Sequence, residues 1–172
     1  MNKLWSPWRS NYIESFKTKR DSDACVFCEA FKLPIKSNKS LIVFKNNLCY
    51  VMLNLYPYNS GHLMVIPNRH ISDIHLLSEN ELNEMMSTVR LSMKALEKAM
   101  KPQGINFGAN LGKAAGAGID SHLHFHVVPR WSGDINFMPA IGEVKIISQD
   151  LLVTKKKLIN SFNEILKKTN KK

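Results

Sequence analysis

Apolar and polar positions alternate in several short runs between residues 40 and 130. The runs SLIVFKN over 40–46 and LCYVMLNL over 48–55 are joined by asparagine turn residues, which is the pattern of a β-hairpin. The segments HLMVIP over 62–67 and GINFGANL over 104–111 have the same short, apolar character, and turn-forming residues precede each of them. Runs of this length and period indicate strands rather than helices.

Two longer segments have the spacing of amphipathic helices. Ser78 and Glu81 form a capping-box pattern at the start of the first, and Pro102 ends it. Its methionines are interpreted as core-filling side chains. The second helix is predicted over about 150–168. We therefore predict an α+β fold with a mostly antiparallel sheet and two main helices. The apolar positions of the first helix are Leu82, Met85, Met86, Val89, Met93, Leu96 and Met100.

The stretch SHLHFHVVPR over 121–130 places three of the six histidines of the chain within five positions. Read as a strand, it alternates its side chains between two faces. Pro129 is expected to end this strand, because proline cannot donate to a hydrogen-bond ladder. One face would carry His122, His124 and His126, and the other Leu123, Phe125 and Val127.

Three aligned histidines have two possible interpretations. In the first, all three bind one metal ion. In the second, one histidine is a nucleophile and its neighbours stabilise charge. The loop before them contains Gly112, Gly116 and Gly118, and glycine lets backbone amides approach a phosphate closely. This loop is not the phosphate loop of ATPases, because Ala114 stands where that motif needs Ser or Thr after the lysine. Together the loop and the histidines indicate a phosphate-containing ligand.

Charge is distributed unevenly along the 172 residues, whose net charge is +10. Residues 1–20 contain five Lys or Arg against one Glu, and residues 154–172 contain seven Lys against one Glu, so the rest is neutral. We divide the chain into a basic N-terminal segment over 1–20, a domain over 21–150 and a basic C-terminal helix and tail over 151–172. Basic ends are typical of solvated tails, and no specific nucleic-acid partner is expected.

The chain has no apolar run long enough to span a membrane and no secretory signal pattern, so we expect a cytoplasmic protein without a membrane partner. Its three cysteines fit a reducing compartment. Cys25 and Cys28 form a C-x-x-C pair, which is a redox motif, half of a zinc site or a coincidence. The redox form accompanies a βαβ pattern that this sequence lacks. Cys49 is predicted to be a small buried residue.

The segment HLHFHVV resembles the histidine-triad signature, His-x-His-x-His followed by two apolar residues. LNLYPYNSGHLMVIP is similar to the stretch of the same family that ends in Gly-His before a strand. GANLGKAAGAGIDSHLHFHVVPRWSGDINFMP resembles the branch that includes dinucleoside tetraphosphate phosphorylases. By these motifs, which lie within about 25–145, the chain resembles the histidine triad (HIT) superfamily of nucleotidyl hydrolases and transferases.

The resemblance implies a role for each matching residue. His124 would attack the α-phosphorus of a nucleotide, His126 would contact the scissile phosphoryl group or its leaving oxygen, and His62 is the additional histidine near the triad. Family members commonly carry a glutamine before the triad, where this chain has Ala117 and Gly118, so other loop groups would contact phosphate. The residues expected to bind substrate are Asn54, Asn110, Gly112, Lys113, Gly116, Gly118 and Ser121.

The HIT branch with a C-x-x-C motif implies a structural Zn²⁺ bound by two cysteines, a histidine after the VIP strand and the first triad histidine. Those positions are Cys25, Cys28, His70 and His122. The family further implies a HIT-like fold, a homodimer and a nucleotide substrate.

The activity expected from the resemblance is cleavage of the phosphoanhydride bonds of dinucleoside polyphosphates through a nucleotidyl-histidine intermediate, with water or orthophosphate as the acceptor. The first alternative is a HIT hydrolase of nucleoside phosphoramidates or other AMP conjugates. The second alternative is a nucleotide-binding module without turnover.

Overall fold

The computed structural model describes residues 24–134 and 149–169, so the predicted basic segment 1–20 and the last residues of the tail lie outside the described residues. Three helices and five strands make up most of the described chain. In order they are α1 (Val26–Lys32), β1 (Ile42–Lys45), β2 (Cys49–Leu53), β3 (Leu63–Pro67), α2 (Glu79–Met100), β4 (Gly104–Gly108), β5 (Phe125–Arg130) and α3 (Leu151–Thr169).

The strands form one antiparallel sheet in the order β1-β2-β3-β5-β4. In the register of β3 with β5, Met64 lies opposite His126 and Val65 lies opposite Phe125. On the other side of β5, Gly108 of β4 also lies opposite His126. The last histidine of the triad is therefore held between two neighbouring strands, in a fully paired part of the sheet.

The two long helices cover one face of the sheet, as the helical periodicity predicts. The N-cap Ser78 makes both hydrogen bonds of the capping box with Glu81. Leu158 and Phe162 of α3 are buried in the same core as Met85 and Leu96 of α2. The ammonium group of Lys155 on α3 is also buried and donates to the carbonyls of Ser37 and Ser40. The C-terminal helix thus packs into the same core as the sheet.

A second, smaller cluster lies on the opposite face and includes Phe27 of α1, Ile42, Tyr50 and Ile66. The hydroxyl group of Tyr50 donates to the backbone carbonyl of Phe27 at 2.8 Å, which fastens α1 to this face. The three histidines of the triad lie on this face as well, on the side of the sheet that faces away from α2 and α3.

The α+β class, the antiparallel sheet and both long helices agree with the prediction, but several details differ. The strand predicted over 104–111 ends at Gly108. Helix α1 was not predicted, because its seven residues are too few to display a helical period. The histidine strand begins only at Phe125, and Pro129 lies inside it rather than at its end. Met86 is 43% exposed and does not fill the core.

Pro129 is accommodated because β3 pairs with β5 only as far as Val127. The side of Pro129 that lacks an N–H therefore faces no strand, and its carbonyl accepts from the Asn59 amide at 3.1 Å. No helix in the described ranges has the length and the apolar composition that crossing a bilayer requires.

Candidate active site and metal site

The histidine segment separates its two sets of side chains as predicted. Leu123, Phe125 and Val127 enter the main core, and His122, His124 and His126 occupy the other face. All three imidazoles are buried, with 1%, 7% and 8% of their surface exposed. Alternation continues through His122 and His124, although β5 begins only at Phe125, because the backbone N–H of Leu123 is held by the carbonyl of Ile71 at 2.6 Å.

The structure assigns the three histidines to two different groups of residues. His122 joins Cys25, Cys28 and His70, and one nitrogen or sulfur atom from each of the four lies within 4.8 Å of all the others. Neither His124 nor His126 belongs to a metal-ligand group among the described residues. This arrangement does not support three triad histidines binding one metal ion.

The four-residue group has the chemistry of a closed zinc site. Nδ1 of His122 lies 3.2 Å from Sγ of Cys25 and 3.6 Å from Sγ of Cys28, and Nδ1 of His70 lies 3.4 Å from the latter. Ligand atoms of a tetrahedral Cys₂His₂ zinc site are about 3.5 Å apart, given the usual Zn–S and Zn–N lengths. The residues therefore fit Zn²⁺.

His122 is already in the tautomer that a metal requires. Its Nε2 lies 3.0 Å from the carbonyl oxygen of Pro67, which can only accept, so Nε2 carries the hydrogen and Nδ1 keeps its lone pair. Burial lowers the pKa of His122 and so favours the neutral imidazole. A carbonyl that orients the second nitrogen is typical of metal-binding histidines.

His124 is held in the opposite orientation. Its Nδ1 donates to the backbone carbonyl of His122 at 2.9 Å, so the lone pair of the neutral ring is on Nε2. Burial lowers the pKa of His124 below its ordinary value, which keeps that lone pair available. The Phe27 ring packs against His124 with 4.9 Å between centroids and also contacts His122 at 5.5 Å. Phe27 thus connects the metal-site helix with a candidate nucleophile.

His62 and His126 are joined by a hydrogen bond, and a backbone amide determines which of the two rings is the donor. The N–H of Tyr58 donates to Nδ1 of His62 at 3.0 Å, so that nitrogen is an acceptor. The remaining ring hydrogen of His62 is then on Nε2 and points to Nδ1 of His126 at 3.0 Å. By the same reasoning, the hydrogen of neutral His126 is on its own Nε2.

Nε2 of His126 is buried and has no hydrogen-bond partner among the described residues. A buried donor without a partner costs roughly 1–3 kcal/mol, so such an atom commonly marks a ligand position. Burial and the neighbouring His124 lower the pKa of His126 to about 4, which keeps the ring neutral near pH 7. The site therefore places the Nε2 lone pair of His124 beside an N–H donor on His126, with 4.8 Å between the ring centroids.

The turn before His62 is fixed by a buried polar network. The side-chain amide of Asn59 donates to Asp134 at 2.7 Å, and Asp134 also binds Arg130 through two hydrogen bonds. The backbone carbonyl of Asn59 accepts from the N–H of His62. Gly61 adopts φ +82°, and its α-carbon lies so close to Met100 that a Cβ would come within 2.5 Å of the sulfur. These contacts hold the Tyr58 amide against His62.

Two of the expected substrate residues lie near the histidine pair, Asn54 in contact with His62 and Asn110 in contact with Tyr58. Asn54 places its amide nitrogen 3.3 Å from Nδ1 of His62 and accepts from the N–H of Tyr56. Asn110 donates to the hydroxyl of Tyr58 at 3.4 Å. The Tyr58 ring itself covers His62 and His126, with centroid distances of 4.6 and 5.4 Å.

The glycine loop is exposed and winds tightly. Gly112 and Gly116 have φ values of +81° and +87°, and nothing lies within 4 Å of a Cβ built on either. The loop is braced by a long ion pair of 3.7 Å between Lys113 and Asp120. Gly118 and Ser121 are also exposed, and open space beside this backbone is compatible with a bound anion.

Sequence reasoning missed two residues of the site, Phe27 and Tyr58. Each lies near a residue that the sequence does predict: Phe27 stands between the two cysteines of CVFC, and Tyr58 stands four residues before His62. Their contacts with the triad depend on distant parts of the chain, and no local period reports them. Cys49 is buried as predicted and contacts Thr88.

Residues 36–133 match the model of the HIT domain. The chain is 41% identical over 167 residues to an AP-4-A phosphorylase of Mycobacterium tuberculosis, covering 94% of this chain and 85% of that protein. It is 34% identical over 107 residues to an adenosine 5′-monophosphoramidase of Saccharomyces cerevisiae, with coverage of 62% and 63%. A Zn-bound histidine triad family protein from Mycobacterium smegmatis has the same fold, with a TM-score of 0.66, 24% identity and coverage of 83% and 95%.

Proposed function

The chain belongs to the HIT domain family, and from its site we propose that it transfers a nucleotidyl group from a dinucleoside polyphosphate to orthophosphate. The observation that carries this proposal is the hydrogen bond from Nδ1 of His124 to the carbonyl of His122, because it leaves the Nε2 lone pair for attack. The likeness to an AP-4-A phosphorylase over most of both chains supports the choice of substrate.

In the first step, Nε2 of His124 attacks the α-phosphorus of the nucleotide. A P–N bond forms, and the P–O bond to the remaining phosphate chain breaks with its electron pair on oxygen. The Nε2–H of His126 donates a hydrogen bond to that leaving oxygen and keeps its proton, so the phosphate chain departs as an anion. The carbonyl of His122 stabilises the positive ring of His124 through the Nδ1 hydrogen. His62 acts by fixing the orientation of His126.

In the second step, an acceptor oxygen attacks the same phosphorus, and the P–N electron pair returns to Nε2 of His124. Water must lose a proton during this attack, but Nε2 of His126 already carries a hydrogen and has no lone pair with which to accept another. Hydrogen phosphate attacks through an oxygen without a proton and needs no base. The orientation of the His62–His126 pair therefore supports orthophosphate as the acceptor.

The surrounding polar residues complete the proposed binding site. We assign Asn54 to the ribose, and Asn110 with the glycine loop to the phosphates. In the loop, Gly112, Gly116 and Gly118 would offer backbone amides, and Lys113 and Ser121 would offer exposed side-chain donors. These groups take the place of the glutamine that family members commonly carry.

We propose a structural Zn²⁺ on Cys25, Cys28, His70 and His122. When bound, the ion would fix α1 and the start of the histidine segment without taking part in phosphoryl transfer. Cysteines stay reduced, and so can bind a metal as thiolates, in a reducing compartment. This requirement supports a cytoplasmic location. The resemblance to HIT proteins also supports a homodimer.

An adenosine 5′-monophosphoramidase among the relatives supports a second candidate activity, hydrolysis of AMP conjugates. A module that only binds nucleotides is the third candidate, although the intact arrangement of His124 and His126 favours turnover.

One product measurement separates the three candidates. The purified protein is incubated with diadenosine tetraphosphate, or with an adenosine phosphoramidate, at several phosphate concentrations, and the products are separated by chromatography. The proposed phosphorylase produces ATP and ADP in millimolar phosphate, and slowly produces ATP and AMP without it. AMP as the main product in millimolar phosphate contradicts the phosphorylase, and preference for the phosphoramidate supports the second candidate. Bound but uncleaved substrate supports the third.

A further inference from the structure

Tyr58 is a large aromatic residue that the mechanism above uses only through its backbone. Its side chain is 46% exposed and belongs to neither core cluster. The ring lies instead against the two histidines of the leaving-group side, 4.6 Å from His62 and 5.4 Å from His126 between centroids. An exposed tyrosine in this position contributes little to the core, and its ring contacts the histidines of the site instead.

The position of Tyr58 coincides with the path of the acceptor. In an in-line displacement at phosphorus, the acceptor oxygen must enter where the leaving oxygen departed. That position adjoins Nε2 of His126, the buried donor without a partner. The Tyr58 ring covers His126, so an acceptor that reaches this donor lies beside the ring and the phenol.

The phenol has the right hydrogen-bonding capacity for an anion. It accepts a hydrogen from the side-chain amide of Asn110 at 3.4 Å, which orients it towards the glycine loop. It therefore retains its own hydrogen for donation. Hydrogen bonds to charged groups are about twice as strong as those between neutral groups, so this donor favours orthophosphate over water.

We propose that the Tyr58 side chain selects the acceptor: its phenol binds the incoming orthophosphate, and its ring screens the nucleotidyl-His124 intermediate from water. This inference rests on the proposed phosphorylase activity. With Tyr58 present, an oxygen of the bound orthophosphate attacks the phosphorus, the P–N bond breaks, and a nucleoside diphosphate forms. When the side chain is removed, water attacks instead, giving a nucleoside monophosphate and a proton released to solvent.

Three variants separate the two roles of the side chain. Tyr58→Phe removes only the phenol, and Tyr58→Ala also removes the screening ring. Tyr56→Ala is the matched control, because Tyr56 is a neighbouring tyrosine of similar exposure (37%). Each substitution keeps the backbone N–H, so the hydrogen bond from residue 58 to His62 can persist.

The assay uses diadenosine tetraphosphate at a fixed millimolar concentration of inorganic phosphate. ATP release reports the first step, and the ratio of AMP to ADP reports the choice of acceptor. Tyr58→Phe should raise this ratio about tenfold, the value of one hydrogen bond to a charged group, and Tyr58→Ala should raise it further. ATP release should change much less in both, and Tyr56→Ala should match the parent protein.

A ratio in Tyr58→Ala equal to that of Tyr56→Ala, with ATP release intact, overturns the inference and leaves the phosphorylase activity in place. If the parent protein releases no ATP, or yields mainly AMP, the proposal of phosphorylase activity is wrong. The proposed role of Tyr58 is then wrong as well, because it depends on that activity. A parallel loss of ATP release and both second products in the two Tyr58 variants shows a general positioning role and also overturns acceptor selection.

Discussion

Substitution of Gly61 by alanine tests whether the turn before His62 is built on close backbone packing. A Cβ at this position would lie 2.5 Å from the sulfur of Met100 and 3.3 Å from Cγ of Pro129, at a φ of +82°. The left-handed conformation alone costs an alanine roughly 1–2 kcal/mol. Relieving the overlap costs about 1–3 kcal/mol more, as for other overpacked sites, and the lower end applies because Met100 is flexible.

The matched control is Gly133→Ala, since Gly133 has a similar φ of +78° but nothing within 4 Å of an added Cβ. Urea unfolding of both variants measures the difference, which we expect to be about 1–2 kcal/mol in the free energy of unfolding. We also expect a lower kcat in Gly61→Ala only, because a displaced turn weakens the hydrogen bond from the Tyr58 amide to His62. Equal destabilisation by the two variants, with kcat unaffected, would refute this account of the turn.

Two further predictions concern the proposed metal and the loss of folding stability at acidic pH. Elemental analysis should find about one Zn²⁺ per chain. A chelator or the substitution Cys28→Ser should lower the Tm, because metal binding is coupled to folding. A protein that contains no zinc, or whose Tm does not change when zinc is removed, would contradict the proposed metal site. His126 has a folded pKa of about 4 against about 6.5 when unfolded, so the unfolded chain binds more protons between these values. Stability should therefore fall by roughly 3 kcal/mol as the pH drops from about 6.5 to about 4. Urea unfolding at matched zinc content should show a smaller fall in His126→Gln, and an equal fall in both proteins would count against burial of a neutral His126.

Local patterns predict the parts of this fold that local interactions determine. The capping box of Ser78 and Glu81 forms as expected, because both partners lie within one helical turn. Alternation along 121–130 predicts which side chains share a face, and the structure agrees. Helix α1 escapes the same reasoning, because its short sequence is held by tertiary contacts such as the Tyr50 hydroxyl on the Phe27 carbonyl.

The candidate site divides in the same way. The metal-ligand group could be predicted from the family motif, and the structure gathers its four residues. The tautomers could not, because they depend on carbonyls and amides brought from elsewhere: Pro67 for His122 and Tyr58 for His62. The position of Pro129 inside β5 depends on where β3 stops pairing, and a single strand does not contain that information.

The central claim is that His124 becomes covalently nucleotidylated during turnover. Intact-protein mass spectrometry tests it after brief incubation with diadenosine tetraphosphate in the absence of phosphate, with an alkaline quench because phosphoramidate bonds are acid-labile.

We predict one added adenylyl group per chain on the peptide that contains His124, and its removal as ADP when phosphate is added. His124→Ala should show no adduct and should lose activity by several orders of magnitude while still binding nucleotide, because the other residues cannot replace a nucleophile. A parent protein that turns over without an adduct, or a His124→Ala variant that retains about a tenth of the activity, would contradict the covalent mechanism.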